Sequence, residues 1–252
     1  MKTIFVTGAA SGIGKATALL FGRRGWFVGC YDVDVDGARR VAEDVGARAS
    51  HGRLDVTNEE SWRTAVADFE GAAGGTMDVL FNSAGVLHMG RFEDVRADAC
   101  RLQLEVNVMG VVLGIQTCLS VLERSKGVVV NMSSASAIYG QPELAVYSAS
   151  KFAVRALTEA LDIELAPRGI RICDVMPGYV DTPMVHSQPH RATTLDKMGV
   201  KLTADDVADW VWKAAHGRAL HYVPQANVRA MGRLGGLLPE LGRVVMRRMA
   251  SR

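Results

Sequence analysis

Tyr147 and Lys151 stand four residues apart in the segment YSASK (147–151). On a helix that spacing puts both side chains on one face. An ammonium beside a phenol favours the phenolate and lowers its pKa. That is the condition for a tyrosine to serve as acid or base near neutral pH. Tyr31, Tyr139, Tyr179 and Tyr222 have no lysine at that offset. Shortly upstream, Ser133, Ser134 and Ser136 each offer a hydroxyl that could orient a substrate oxygen.

A second group lies near the start of the chain. TGAASGIG (7–14) follows the apolar run Ile4-Phe5-Val6 and leads into KATALL (15–20). Gly8, Gly12 and Gly14 permit backbone angles and close approaches closed to other residues. A helix beginning there points free N–H groups and a positive dipole end at the turn, which suits a pyrophosphate. Asp32, 18 residues past Gly14, ends the next apolar run. An acid at that place can accept from both hydroxyls of an adenosine ribose and repel a 2′-phosphate. Val33 rather than arginine follows it, and Ser11 before Gly12 is not basic. These residues favour NAD over NADP.

Other reactive side chains suggest less. Cys30, Cys100, Cys118 and Cys173 have no CxxC spacing and no paired histidine nearby. They read as free thiols of a reducing compartment, and no metal site is expected. His88, His186 and His190 read as solvated loop histidines.

Positioning these groups requires a particular alternation. Short β-rich runs recur at 2–6, 26–31, 77–82, 127–132, 170–176 and 220–223, with longer stretches of helical spacing between them. Runs apolar almost throughout suit parallel strands buried on both faces. Strand–helix alternation implies an α/β fold with a doubly wound parallel sheet, Rossmann-like and three-layered. No linker or repeat divides the 252 residues, so a single domain is expected. The apolar fraction of 48% supports a sizeable core, and the net charge of +2 favours no class of partner. The opening MKTIFVTG is too short in its apolar run for a signal peptide. No apolar stretch reads as long enough to span a bilayer, and a cytoplasmic protein is expected.

From residue 2 to about 225 the sequence resembles the short-chain dehydrogenase/reductase family in its single-domain form. TGAASGIG, with Gly8, Ser11, Gly12, Ile13 and Gly14, is similar to the family's TGxxxGIG cofactor loop. LDV (54–56) supplies Asp55 and Val56 at the adenine. NSAG (82–85) supplies Asn82, Ala84 and Gly85, departing from the family's NNAG at Ser83. VNVMG (106–110) supplies Asn107, NMSS (131–134) a serine, YSASK Tyr147 and Lys151, and PGYVDT (177–182) Pro177, Gly178, Val180 and Thr182. The family's serine stands thirteen residues before its tyrosine, which selects Ser134 and leaves Ser133 to the strand end.

The resemblance implies a metal-free hydride-transfer site. Tyr147 would exchange the hydroxyl proton of an alcohol while hydride passes to the nicotinamide. Ser134 would orient the substrate oxygen. Lys151 would depress the tyrosine pKa and hold the nicotinamide ribose, and Asn107 would hold a water joining Lys151 to solvent. The 177–182 loop would seat the carboxamide through Val180 and Thr182. A homodimer or homotetramer built on the helices carrying Asn107 and Tyr147 is also implied. The expected substrate is a small alcohol or ketone, leaning apolar because AIYGQPELA (137–145) is mostly apolar. An NADPH-dependent 3-oxoacyl thioester reductase is the alternative, disfavoured by Asp32. A non-catalytic dinucleotide sensor is the other, disfavoured because Tyr147 and Lys151 are both present.

The chain is expected to divide into a body, 1–225, and a basic tail, 226–252. Residues 229–252 hold six arginines and one acid, Glu240. From Pro239, Leu241, Val244, Val245 and Met249 fall at helical spacing. Such a helix suits peripheral membrane contact, or docking on a neighbouring subunit or over the substrate pocket. Nucleic-acid binding is not expected, because the body is acidic and carries no reading motif.

Overall fold

The computed structural model describes the backbone of residues 1–237 and Arg247, with side chains to residue 232 and at Arg247. Its main sheet joins β1 (Thr3–Thr7), β2 (Phe27–Asp32), β3 (Ala49–Arg53), β4 (Val79–Asn82), β5 (Val128–Met132), β6 (Arg171–Val175) and β9 (His221–Tyr222). The order is β3-β2-β1-β4-β5-β6-β9, and every pairing is parallel. A separate pair joins β7 (Val180–Asp181) to β8 (Leu202–Thr203).

Helices cover both faces. On one lie α1 (Gly12–Arg23), α2 (Val35–Val45) and α9 (Ala204–His216). On the other lie α3 (Glu59–Ala73), α5 (Gly110–Ser125) and α6 (Ala145–Leu165). Alternate strand residues divide between two cores. Ile4, Val6, Val28, Cys30, Phe81 and Val130 meet Phe21, Trp26, Val207 and Val211. Phe5, Tyr31, Leu80 and Val129 meet Trp62, Phe69, Ile115 and Val154. Phe5 stacks on Tyr31 with ring centres 4.4 Å apart. Each such buried side chain contributes roughly 1.5–3 kcal/mol, and strands buried on both faces leave the loops at their carboxyl ends as the place for polar chemistry.

The six strands expected from apolar runs form within two residues of their expected ends, and a seventh, β3, joins them. Its sequence is ASHGR, with His51 and Arg53 exposed. An edge strand has one neighbour and a partly solvated face, so it carries no apolar run.

One expectation needs correction. α4 (Ala97–Leu104), a π-helical turn (Glu105–Met109) and α5 run on as one helix, Ala97–Ser125, which is long and apolar enough to cross a membrane. The expectation that no apolar stretch is long enough does not hold for its uncharged run 106–122. Val111, Ile115, Cys118, Val121 and Leu122 are buried in the core that includes β4 and β5.

Helices α7 (Pro183–His186), α8 (Thr193–Met198) and α10 (Ala226–Leu237) complete the described chain. Val228 of α10 is buried, and Gly232 lies against Ile138. The basic helix expected from Pro239 lies, apart from Arg247, outside the described residues.

Candidate active site

The sheet reverses direction of winding between β1 and β4, and a crevice opens there at the carboxyl ends of the strands. A cavity of about 330 Å³ occupies it. The glycine loop forms its floor. Gly8 and Gly12 take φ of +68° and +52°, in the left-handed region. A Cβ on Gly8 would lie 2.8 Å from Ala84 Cα, and one on Gly14 would lie 2.0 Å from Gly8 O. The glycine loop and the 82–85 loop are thus pressed backbone to backbone. Thr7 Oγ1 reinforces this by accepting from the amides of Ser83 and Ala84, both at 3.0 Å. Ser11 caps α1 without a side-chain hydrogen bond, and the first turn holds no acid. That leaves the helix N-terminus open to an anion.

Asp32 faces the same cavity. Its Oδ2 accepts from Ala10 N and its Oδ1 from Asp34 N, each at 3.0 Å. Two backbone donors fix the carboxylate beside the glycine loop. Asp55 and Val56 line the adjoining wall. Asp55 Oδ1 accepts from Thr57 N at 3.0 Å and from Thr57 Oγ1 at 2.7 Å. Across the crevice, Pro177, Gly178, Val180 and Thr182 line the far wall. Gln225 Oε1 accepts from Gly178 N at 2.7 Å, and Pro177 O accepts from Ala135 N at 2.8 Å. The glycine cradle, the open helix end and the paired acids fit a dinucleotide.

Ser134, Tyr147 and Lys151 converge at the inner end of this cavity. Ser134 caps a single 3-10 turn, Ala135–Ala137, its Oγ accepting from Ser136 N at 3.1 Å. Ser133 also lines the cavity, and its Oγ donates to Lys151 O of α6 at 3.4 Å. Tyr147 lies in the first turn of α6 and Lys151 one turn later on the same face. Lys151 Nζ donates to Met132 O at 2.9 Å and lies 5.6 Å from the Tyr147 ring centre.

The electrostatics of this pair differ from expectation. Burial pushes the Tyr147 phenol up to about 12, opposed only by its hydrogen bond with Ser134. Burial pulls the Lys151 ammonium down to about 8. The ammonium stands over the ring and is turned to a backbone carbonyl, so it does not offset the phenolate's desolvation.

Two expected site residues stand behind the cavity wall. Asn82 Nδ2 donates to Asn131 Oδ1 at 2.9 Å, and Asn131 Nδ2 donates to Thr158 Oγ1 at 3.0 Å. This chain ties β4 to β5 and α6. Asn107 sits in the π turn. Its Oδ1 accepts from Val86 N at 2.8 Å, and its Nδ2 donates to Val86 O at 2.9 Å and to Ser150 Oγ at 3.1 Å. It fastens the 82–86 loop to the helix of Tyr147.

His88, His186 and His190 do not line the cavity. His186 pairs with Asp181 and His190 with Glu143. Sequence reading missed Glu143, which takes φ of +64°. Its Oε1 meets His190 Nε2 at 2.9 Å and its Oε2 accepts from Thr193 N at 2.6 Å. Burial opposes its ionisation, but these hydrogen bonds hold its carboxyl below the usual range. Gln225 was also missed. No local pattern marks either, since each meets its partner across more than 40 residues.

A family model described as short chain dehydrogenase matches residues 2–193. The chain is 35% identical over 195 residues to trans-4-hydroxycyclohexanecarboxylate dehydrogenase of Sinomonas cyclohexanicum, covering 73% of this chain and 74% of that protein. It is 38% identical over 187 residues to cyclopentanol dehydrogenase of Comamonas testosteroni, covering 73% and 74%. A crystal structure of a short chain dehydrogenase/reductase from Burkholderia phymatum in complex with NAD superposes with a TM-score of 0.85. The two are 28% identical and cover 95% and 94% of each other.

Proposed function

The chain belongs to the short-chain dehydrogenase/reductase family, and from that membership we propose that it transfers hydride between NAD and an apolar secondary alcohol or its ketone. The observation that carries the reading is the convergence of Ser134, Tyr147 and Lys151 on one cavity with the glycine loop. A bound nicotinamide dinucleotide supplies the group that accepts or gives the hydride.

In oxidation, Tyr147 takes the hydroxyl proton of the alcohol at its phenolic oxygen; in reduction it returns a proton to the carbonyl. Ser134 donates to the substrate oxygen and fixes its distance from Tyr147. Lys151 holds the ribose on the nicotinamide side and relays the proton. Asn107 positions Lys151's helix against the 82–86 loop. Gly8, Ser11, Gly12, Ile13 and Gly14 receive the pyrophosphate, and Asp32 receives the adenosine ribose. Asp55, Val56, Ala84 and Gly85 bound the adenine and ribose, with Asn82 supporting them. Pro177, Gly178, Val180 and Thr182 seat the carboxamide. Asp32 supports NAD over NADP, since its carboxylate, held by two backbone amides, would repel a 2′-phosphate.

The apolar preference is supported by Leu87, Leu144, Val185 and Leu195, which cluster beside Tyr147. Relatives named for cyclopentanol and for a hydroxycyclohexane acid favour a cyclic alcohol. Leu102, Leu104, Met109, Phe152 and Ile163 are exposed on α4, the π turn and α6. We assign this apolar surface to self-association as a dimer or tetramer, to be read by light scattering. The catalytic reading is tested by offering cyclic and open-chain alcohols and ketones with NAD(H) and NADP(H), followed at the nicotinamide absorbance band. No turnover of any alcohol or ketone, with dinucleotide binding intact, would favour the sensor reading.

A further inference from the structure

Away from Ser134, Tyr147 and Lys151, the substrate half of the cavity is walled mostly by apolar side chains. Leu87, Leu144, Met184 and Val185 wall it, and Gln141 stands among them, 5% exposed. The fold holds Gln141 from several sides. Its backbone N donates to Ser148 Oγ at 3.1 Å, and its carbonyl accepts from Leu144 N at 3.2 Å. Its Oε1 accepts from the Tyr179 hydroxyl at 2.9 Å, and that hydroxyl lies 2.8 Å from Thr194 Oγ1. The side-chain amide is therefore oriented, oxygen toward Tyr179. Its Nε2 is turned toward the Tyr139 hydroxyl, which takes one of its two N–H groups and leaves the other for a ligand in the cavity that Gln141 lines.

A buried donor left unpaired costs about 1–3 kcal/mol. A leucine or methionine would fill the same wall without that cost. Resting on the hydride-transfer reading above, we propose that Gln141 is a specificity-determining residue whose Nε2 donates to a second, uncharged oxygen of the substrate. The preferred substrates are then apolar diols and hydroxyketones.

The oxygen is uncharged because of what surrounds it. Among the described residues lining the cavity the one cation is Lys151, at the reacting end, and the acids are Asp32 and Asp55, at the adenosine end. A carboxylate set against Gln141 and Tyr179 would lose its hydration with no counter-charge. In this the chain parts from the relative named for 4-hydroxycyclohexanecarboxylate.

The test uses the full chain with NAD and three compounds: cyclohexanol, trans-1,4-cyclohexanediol and trans-4-hydroxycyclohexanecarboxylate. The wild type is expected to show kcat/KM for the diol at least about tenfold above cyclohexanol, beyond the statistical advantage of two hydroxyls, and lowest for the acid. Gln141→Leu is expected to shrink the diol preference at least about tenfold. Tyr179→Phe, which frees the amide, should shrink it by less. NADH fluorescence titration confirms that each variant retains the cofactor site; if Gln141→Leu fails that check, Tyr179→Phe carries the comparison. A diol preference unchanged in the variants, or a wild type that prefers the acid, overturns the assignment and leaves hydride transfer standing. Turnover of none of the three overturns the cyclic-alcohol reading beneath it.

Discussion

The Lys151 ammonium lies 5.6 Å from the centre of the Tyr147 ring and gives a hydrogen bond to Met132 O, not to the phenol. Buried there, its pKa falls from 10.5 to about 8. That fall corresponds to roughly 3 kcal/mol of unfavourable charge burial at neutral pH. Losing the Met132 hydrogen bond would give back about 1 kcal/mol. Lys151→Met is therefore expected to raise stability by about 2 kcal/mol while abolishing turnover. Because the folded pKa lies below the unfolded one, the wild type gains stability as pH rises from about 8 to about 10.5. The gap between variant and wild type should close over that window in urea titrations. A variant less stable than wild type at pH 7 would contradict the burial argument.

Tyr147→Phe keeps the ring in its buried place and removes the proton-carrying oxygen. Turnover should fall by at least about 100-fold, with NADH affinity nearly intact. Steady-state rates and fluorescence titration separate the two effects. Wild-type turnover in this variant would remove Tyr147 from the chemistry.

Asp32→Ala should narrow the preference for NADH over NADPH, which in the wild type is expected to be at least about tenfold, about 1.4 kcal/mol. The same change frees the amides of Ala10 and Asp34. NADH affinity should therefore drop as well as NADPH affinity rise. Titration of both dinucleotides reads this, and equal affinities in the wild type would remove the assigned role.

Gln225 holds Gly178 N at 2.7 Å, behind the loop assigned to the nicotinamide. Gln225→Ala should weaken NADH binding by about five- to tenfold, the loss of one hydrogen bond. Binding of ADP-ribose, which has no nicotinamide, should stay as it was. Calorimetry with both ligands decides; equal losses would place the effect on the whole fold.

Glu143 ties the wall before Tyr147 to the segment of His190 and Thr193. Glu143→Ala should speed hydrogen exchange at the Thr193 amide and raise KM about three- to tenfold with a smaller change in kcat. Unchanged exchange at Thr193 would show that the segment is held by its other contacts.

The central strands and the shared helix face of Tyr147 and Lys151 could be read from the sequence because their signals are local. Val128–Met132 is an apolar run, and Tyr147 and Lys151 are one turn apart. β3 was not legible, since an edge strand such as ASHGR has little to bury. Gln141 and Gln225 carry no motif; their places come from contacts with Tyr179 and Gly178 that only the assembled sheet creates. The Tyr147 pKa went the other way for a related reason. Spacing places Lys151 on the right face but does not tell which atom its ammonium meets.

The π turn at Glu105–Met109 holds one residue more than a regular helix needs for that stretch. It has a consequence for chain length. Deleting a single residue there would give a more regular helix. The flanking turns would keep their places, and the change would fall on the backbone of Glu105–Met109 itself. Asn107 would then lose Val86 and Ser150, while the core face of α5 stayed in place. Within this helix the site tolerates substitution at its exposed residues far better than it tolerates a change in their number. A library of single-residue deletions along Ala97–Ser125 should yield folded, inactive proteins at the π turn and unfolded ones within α5.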